Sequence, residues 1–100
     1  MAIKKVKGSK VDMTEVLNCY WVKTKLYVDV QQHMFKRLNT VLSTRRYTLR
    51  QMCDKEFWNS MENKEKRDAG RAFAFMVDSG IFAFKFLNTK KSEPKRYLLK

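Results

Sequence analysis

Two stretches of the chain have the spacing of apolar residues that is typical of an amphipathic helix. In residues 62–78 one arc of the helical wheel is apolar, and Gly80 follows where a left-handed residue commonly ends a helix. The pattern therefore predicts helices over 30–43 and 62–78. Their apolar arcs hold Met34, Phe35, Leu38, Val41 and Leu42 in the first, and Ala69, Ala72, Phe73, Met76 and Val77 in the second.

A shorter helix is predicted between these two. Thr48 precedes the segment Leu-Arg-Gln-Met and is a suitable N-cap, because its hydroxyl can accept a hydrogen bond from a free backbone N–H of the first turn. Asp54 is a second N-cap candidate, for a short turn over residues 55–58. Asn59 and Asn63 are candidates for the start of the long helix.

Residues 15–30 alternate between apolar and polar positions, which favours a β-strand. The alternation consists of Tyr20, Val22, Leu26, Val28 and Val30 against Lys23, Lys25 and Asp29. A helix with Leu17, Tyr20, Trp21 and Thr24 on one face is the alternative.

The C-terminal part has the pattern of a β-hairpin. Phe82, Phe84 and Phe86 alternate with other residues, residues 88–94 are rich in turn formers, and residues 95–99 supply a return strand. We therefore predict an α+β fold of about three helices followed by a C-terminal β-hairpin, with an N-terminal strand. We expect residues 1–12 to form a flexible basic N-terminal arm and residues 13–100 to form a single domain.

Charge changes this picture most. The chain has 22 Lys and Arg against 10 Asp and Glu, a formal net charge of +12. A magnitude of about 2–8 is sufficient for the solubility of a small domain. The excess predicts an anionic partner, with nucleic acid favoured over an acidic protein, and a membrane surface least favoured.

Catalytic and metal-binding signatures are absent from the sequence. Cys19 and Cys53 are isolated residues in apolar surroundings and are expected in the core, because metal sites need paired Cys or Cys/His spacing. His33 is expected on the surface, without a nucleophile or an orienting group at a suitable spacing. The pattern predicts no enzyme, no cofactor, no metal and no small-molecule substrate. It also shows no apolar run of membrane-spanning length, so we expect a cytoplasmic, nucleoid-associated protein.

The order helix, short helix, long helix and hairpin resembles that of the winged helix-turn-helix proteins, in the small basic form found on phages and plasmids. The resemblance covers about residues 30–100. The segment 54–61 lengthens the turn before the long helix, and residues 13–28 have no counterpart in that family. The residues that carry the resemblance are Tyr47-Thr48-Leu49, the helix over 67–77, Gly80-Ile81 and Arg96-Tyr97-Leu98-Leu99.

The resemblance implies a transcriptional or mobile-element regulator that binds duplex DNA, as a homodimer in many such proteins. Helix 62–78 would enter the major groove, and a wing over 88–96 would contact the backbone. The DNA-binding residues implied are Lys64, Arg67 and Arg71 on the long helix, Arg45, Arg46 and Arg50 before and within the short helix, and Lys90, Lys91, Lys95 and Arg96 in the wing.

Other functions stay open at this point. The chain can be an adaptor or inhibitor that docks on an acidic protein, or an RNA-binding protein. Tyr20, Trp21 and Tyr27, interleaved with lysines, can form a stacking platform for single strands, although core packing is the favoured interpretation of these residues. The cationic face of the long helix also has a plain interpretation as an ordinary solvent-exposed surface.

Overall fold

The computed structural model describes residues 12–17, 20–87 and 95–100. The chain is a mixed α+β protein, in agreement with the predicted fold class. Its basic arm lies largely outside the described residues. The elements, in chain order, are β1 (Met13–Val16), β2 (Tyr20–Lys23), α1 (Thr24–Arg37), β3 (Arg46–Thr48), α2 (Leu49–Met52), α3 (Lys55–Asn59), α4 (Asn63–Asp78), β4 (Phe84–Leu87) and β5 (Arg96–Leu99).

The first helix begins earlier than the sequence pattern indicated. The strand prediction for residues 15–30 is wrong beyond residue 23, because α1 starts at Thr24. Leu26, Val30 and Met34 are spaced at i, i+4 and i+8, which places them on one face of a helix. These residues are four positions apart, a multiple of the two-residue period of a strand, so the same spacing also fits a β-strand. This coincidence of the two periods explains the error.

The same helix also ends earlier than predicted. α1 stops at Arg37, and a single 3₁₀ turn over Leu38–Thr40 follows it. Val41 is extended but still buried, whereas Phe35 and Leu42 are 50% and 54% exposed. Two of the five side chains predicted for the buried arc of this helix are therefore on the surface.

The helix caps follow the local sequence. The Thr48 hydroxyl accepts a hydrogen bond from the Gln51 N–H at 3.3 Å, and the Gln51 side chain accepts one from the Thr48 N–H at 2.8 Å. This reciprocal pair is a capping box and confirms the predicted N-cap. At α4 the N-cap is Glu62, paired in the same way with Glu65, and not Asn59 or Asn63.

Gly80 ends α4 in the predicted way. Its φ is 83°, in the left-handed region that favours glycine. The Gly80 N–H donates to the Val77 carbonyl, and the Ile81 N–H donates to the Met76 carbonyl. These two bonds form a Schellman motif, which turns the chain sharply toward β4.

A three-stranded antiparallel sheet closes the C-terminal part, with strand order β3-β5-β4. The predicted hairpin is formed by β4 and β5, and β3 is an additional strand that the sequence pattern did not indicate. β3 has only three residues, and Tyr47 pairs directly with Tyr97. Strand β3 leads directly into α2 at Thr48.

Aromatic side chains join α4 to this sheet. Phe73 is fully buried, and its ring centroid lies 5.5 Å from that of Phe82, 5.7 Å from Phe84 and 4.8 Å from Tyr97. Such edge and tilted arrangements are the favoured geometries of aromatic pairs. They hold the long helix in a defined position on the sheet.

A second antiparallel sheet, the N-terminal hairpin of β1 and β2, packs against α1 and α4. Val16 and Val22 are fully buried in the same core as α4. Leu17 has a φ of 53°, the only positive φ among the non-glycine residues that the structure describes. Across the described ranges, no helix combines the length and apolar character needed to cross a bilayer.

Candidate nucleic-acid interface

A groove of about 540 Å³ lies between α4, the start of α2 and the start of β5. Five cationic side chains from three separate segments line it, and among the residues that the structure describes no Asp or Glu lines it. Five like charges gathered at one groove attract an anion from solution. The cations are Arg50 from α2, Lys66, Arg67 and Arg71 from α4, and Lys95 from the residue before β5.

The floor of the groove is apolar. Leu17 from the N-terminal hairpin, Trp58 from α3 and Ala74 from α4 all line it. The ammonium of Lys66 lies 5.7 Å from the centroid of the Trp58 ring, within the range of a cation–π contact. Gly70 lies at the middle of the α4 wall, where a Cβ atom would meet no atom within 4 Å. The groove therefore combines a cationic rim with flat apolar surface.

Asp68 sets the charge of the adjacent helix face. It is the only charged or polar residue that is buried in the described part of the chain. Its carboxylate accepts from Lys64 at 3.0 Å and from Arg71 at 3.5 Å. The Arg71 guanidinium also lies 4.0 Å from the centroid of the Tyr20 ring. Arg71 is therefore held between α4 and the N-terminal hairpin.

Because of these contacts, the three cations of the predicted stripe, Lys64, Arg67 and Arg71, are not equally free to bind a ligand. All three lie on α4, but Lys64 and Arg71 share Asp68 as a partner. Arg67 is exposed, and the structure gives it no ion pair within the described ranges. Ala74, which follows the stripe along the helix, is 1% exposed. Lys64 and Arg67 are exposed, whereas Arg71 is half-buried.

The other predicted DNA-binding residues divide into two groups. The structure brings Arg50 and Lys95 together with Arg67 and Arg71 at the groove. Arg46 and Arg96 instead share a face of the sheet with Lys85. Arg46 and Lys85 both lie opposite Leu98 in the strand register, and Arg96 is two residues from Leu98 on the same strand.

Arg45 is exposed, with its guanidinium 5.8 Å from the centroid of the Tyr47 ring. The wing lysines, Lys90 and Lys91, lie outside the described residues.

Two groove residues were missed by sequence reasoning. Trp58 and Lys66 are not among the predicted DNA-binding residues, but both line the groove. A signal was present in α4, where cations at 66, 67 and 71 alternate with the small residues Gly70 and Ala74. Small residues between cations on one helix face leave room for a ligand to approach the backbone.

The predicted aromatic platform is not formed by one sheet. Tyr20 and Trp21 lie on β2, but Tyr27 lies on α1, where its ring is 6.4 Å from that of Phe75. Tyr20 is already engaged with Arg71. The three rings therefore have separate structural surroundings.

Within the described part of the chain, Cys53 and His33 are the two side chains considered as candidates for catalysis or metal binding. Burial raises the pKa of the Cys53 thiol to about 12, so the thiol stays protonated at neutral pH. Cys53 is a core residue, as expected, and Cys19 lies outside the described residues. No cluster of three or more His, Cys, Asp or Glu suited to a metal ion occurs in the described ranges.

His33 has a structural partner that the sequence did not reveal. Its Nε2 atom accepts a hydrogen bond from the Asp54 N–H at 2.9 Å, at the start of α3, and its ring stacks on Phe57 at 4.0 Å. Burial lowers the pKa of this imidazole, with a further lowering by the nearby Arg37 guanidinium. The neutral form is the one that can accept this bond.

This geometry predicts a pH-dependent stability. Because the pKa of His33 is lower in the folded than in the unfolded state, its stabilisation is complete above pH 6.5 and is lost as the pH falls through the folded-state pKa. We expect the melting temperature of His33→Phe, which keeps the stacked ring but cannot accept the bond, to fall less between pH 7.5 and 5 than that of the wild type. Thermal melts followed by circular dichroism test this. Equal falls in both proteins would contradict it.

Comparison with known proteins adds a family but no function. No curated protein and no solved structure matches the chain. A family model described as a domain of unknown function, DUF1413, matches residues 32–98, about two thirds of the chain. The matched segment contains most of the groove, including α2, α3, α4 and the start of β5. The chain therefore belongs to the DUF1413 family.

Proposed function

We propose that the protein binds duplex DNA through the face that carries the groove. The observation that carries this proposal is the convergence of five cations from three segments on one groove, with no carboxylate among the described residues that line it. Phosphate contacts by Lys and Arg supply most of the affinity of sequence-independent DNA binding. The net charge of +12 adds a long-range attraction that accelerates association.

The order of elements supports a winged helix-turn-helix arrangement for this binding. A first helix, two short helices, a long helix and a hairpin follow one another in that order. In such proteins the helix that enters the major groove contacts base edges with its N-terminal residues. Here Lys64 and Arg67, in the first half of α4, are exposed, and Lys66 is half-buried. The role of transcriptional or mobile-element regulator is part of this proposal and rests on the resemblance alone.

Removal of groove charges tests the proposal. We expect Arg50→Ala/Arg67→Ala/Lys95→Ala to lower the affinity for a random-sequence duplex at least about tenfold, since the loss of even one charge-assisted bond of about 1.5–3 kcal/mol corresponds to a tenfold change or more. The slope of log K against log salt should also become shallower, by about 0.9 for each phosphate that the variant no longer neutralises. Fluorescence anisotropy at several salt concentrations measures both quantities.

A matched control removes the same charge elsewhere. Lys36, Lys55 and Lys100 are exposed and do not line the groove, so Lys36→Ala/Lys55→Ala/Lys100→Ala should keep most of the affinity and the salt slope. Equal losses of affinity in both triple variants would show that the net charge of the protein, and not the groove, causes the binding. If the wild type does not bind duplex DNA at low salt, DNA is not the ligand. If it binds a matched duplex RNA more tightly than the DNA, RNA is the ligand.

A further inference from the structure

The floor of the groove has a property that contact with a duplex backbone does not explain. Phosphates of a duplex face outward and its bases are stacked inside, so cations alone are sufficient for backbone contact. The groove is lined in addition by the apolar side chains of Trp58 and Leu17. Its volume of about 540 Å³ is within the range of small-molecule sites, about 300–1,000 Å³.

We propose that this groove holds one unpaired nucleotide, with the base on the apolar floor at Trp58 and the phosphate among Arg50, Arg67 and Lys95. The proposal rests on the proposed function, because it names the nucleic-acid element that the same groove takes. The chemistry is shared by two sources: a free nucleoside monophosphate, or an unpaired nucleotide at the end of a strand. Aromatic side chains bind bases by stacking, and each such contact contributes about 1–3 kcal/mol.

The walls of the groove are held in place before any ligand binds. Arg71 is fixed by Asp68 on one side and by Tyr20 on the other. Leu17 reaches the groove from a position with positive φ, a conformation that costs energy in a non-glycine residue and is commonest at functional sites. Fixed walls lower the entropy lost on binding, which favours a specific ligand over a diffuse ionic contact.

Gly70 makes the proposal testable without changing charge. A side chain at this position would project into open space, since a Cβ meets nothing within 4 Å. The backbone is helical there, and replacing glycine with a better helix former favours the helix by up to about 1 kcal/mol. Gly70→Leu should therefore fill the groove while all five cations and the fold are kept.

The first experiment uses Trp58 as the reporter. The chain has 2 Trp, so Trp21→Phe leaves Trp58 as the only indole. Adenosine monophosphate should quench its fluorescence saturably. Adenosine and inorganic phosphate should each bind at least tenfold more weakly, because each lacks one half of the ligand. Gly70→Leu in the same background should weaken binding of adenosine monophosphate at least tenfold, and Gly70→Ala much less.

A comparison of blunt and overhanging duplexes distinguishes a free nucleotide from an unpaired nucleotide at a strand end. A duplex with a one-nucleotide overhang should bind more tightly than a blunt duplex if the groove takes a strand end, and Gly70→Leu should remove that difference. Tight adenosine monophosphate binding with no overhang preference would identify the free nucleotide as the ligand. Both results support the proposal.

Failure of the nucleotide proposal can be distinguished from failure of DNA binding. If neither adenosine monophosphate nor the overhang shows an advantage, or if Gly70→Leu removes neither advantage, the nucleotide site is wrong. Salt-dependent binding to the blunt duplex would then still support the proposed function. If nothing binds at low salt, both proposals are wrong. A circular dichroism spectrum and melting temperature of each variant verify that it is folded.

Discussion

Phe73→Ala is expected to lower the free energy of unfolding by about 3–5 kcal/mol, the range for removing a buried phenylalanine ring. Phe73 is fully buried and packs against Phe82, Phe84 and Tyr97, so its ring joins α4 to the sheet. Small proteins are stable by only about 5–15 kcal/mol in total. The variant should therefore unfold at much lower urea concentration, or be partly unfolded in buffer, as measured by circular dichroism.

Phe73→Leu is the matched control. Leucine keeps most of the apolar volume, and such changes in a core usually cost less than about 1.5 kcal/mol beyond the loss of ring contacts. A loss well below that of Phe73→Ala is the expected result. Equal losses in the two variants, or a loss below about 1 kcal/mol for Phe73→Ala, would contradict the packing of this ring between α4 and the sheet.

Val22→Asp is the second substitution with a large expected effect. Val22 is fully buried in the N-terminal hairpin, and burying an unpaired carboxylate costs several kcal/mol. We expect the free energy of unfolding to fall by more than about 3 kcal/mol. Urea denaturation measures the loss, and a small change would show that the hairpin contributes little to the core.

Lys23, the residue after Val22, offers a control in which aspartate is introduced at an exposed position. Lys23 is exposed and is the N-cap of α1, where no side chain caps the helix. Aspartate is a favoured N-cap, and a capping bond contributes about 1 kcal/mol. Lys23→Asp should therefore be neutral or stabilising, although it also introduces an acid. A large loss in this variant would point to a general effect of negative charge and not to burial.

The sequence predicted the elements whose signals are local. The start of α2 at Thr48, the end of α4 at Gly80 and the C-terminal hairpin all depend on short-range hydrogen bonds and turn chemistry. The start of α1 was missed because its apolar spacing satisfies two periods at once. β3 was missed because three residues are too few for a pattern, and its strand character comes from pairing with β5, far along the chain.

The candidate site was predicted only as separate clusters. The clusters around Arg50, Arg67 and Lys95 were recognised as cationic, but nothing local indicates that α2, α4 and β5 meet at one groove. The pairing of Asp68 with Lys64 and Arg71 follows helical spacing and was within reach of sequence reasoning. The contact of Arg71 with Tyr20 joins distant segments and required the fold.

The N-terminal hairpin has a consequence for how members of this family differ. The family match begins at residue 32, within α1, whereas Val16, Val22 and Val30 belong to the same core as the matched helices. A relative that shares the matched segment but has another N-terminus must cover this apolar surface of α4 with a different segment or a second subunit. Leu17, a wall of the groove, comes from the unmatched part. A different N-terminal segment in such a relative would therefore change the lining of the groove as well as the cover of α4.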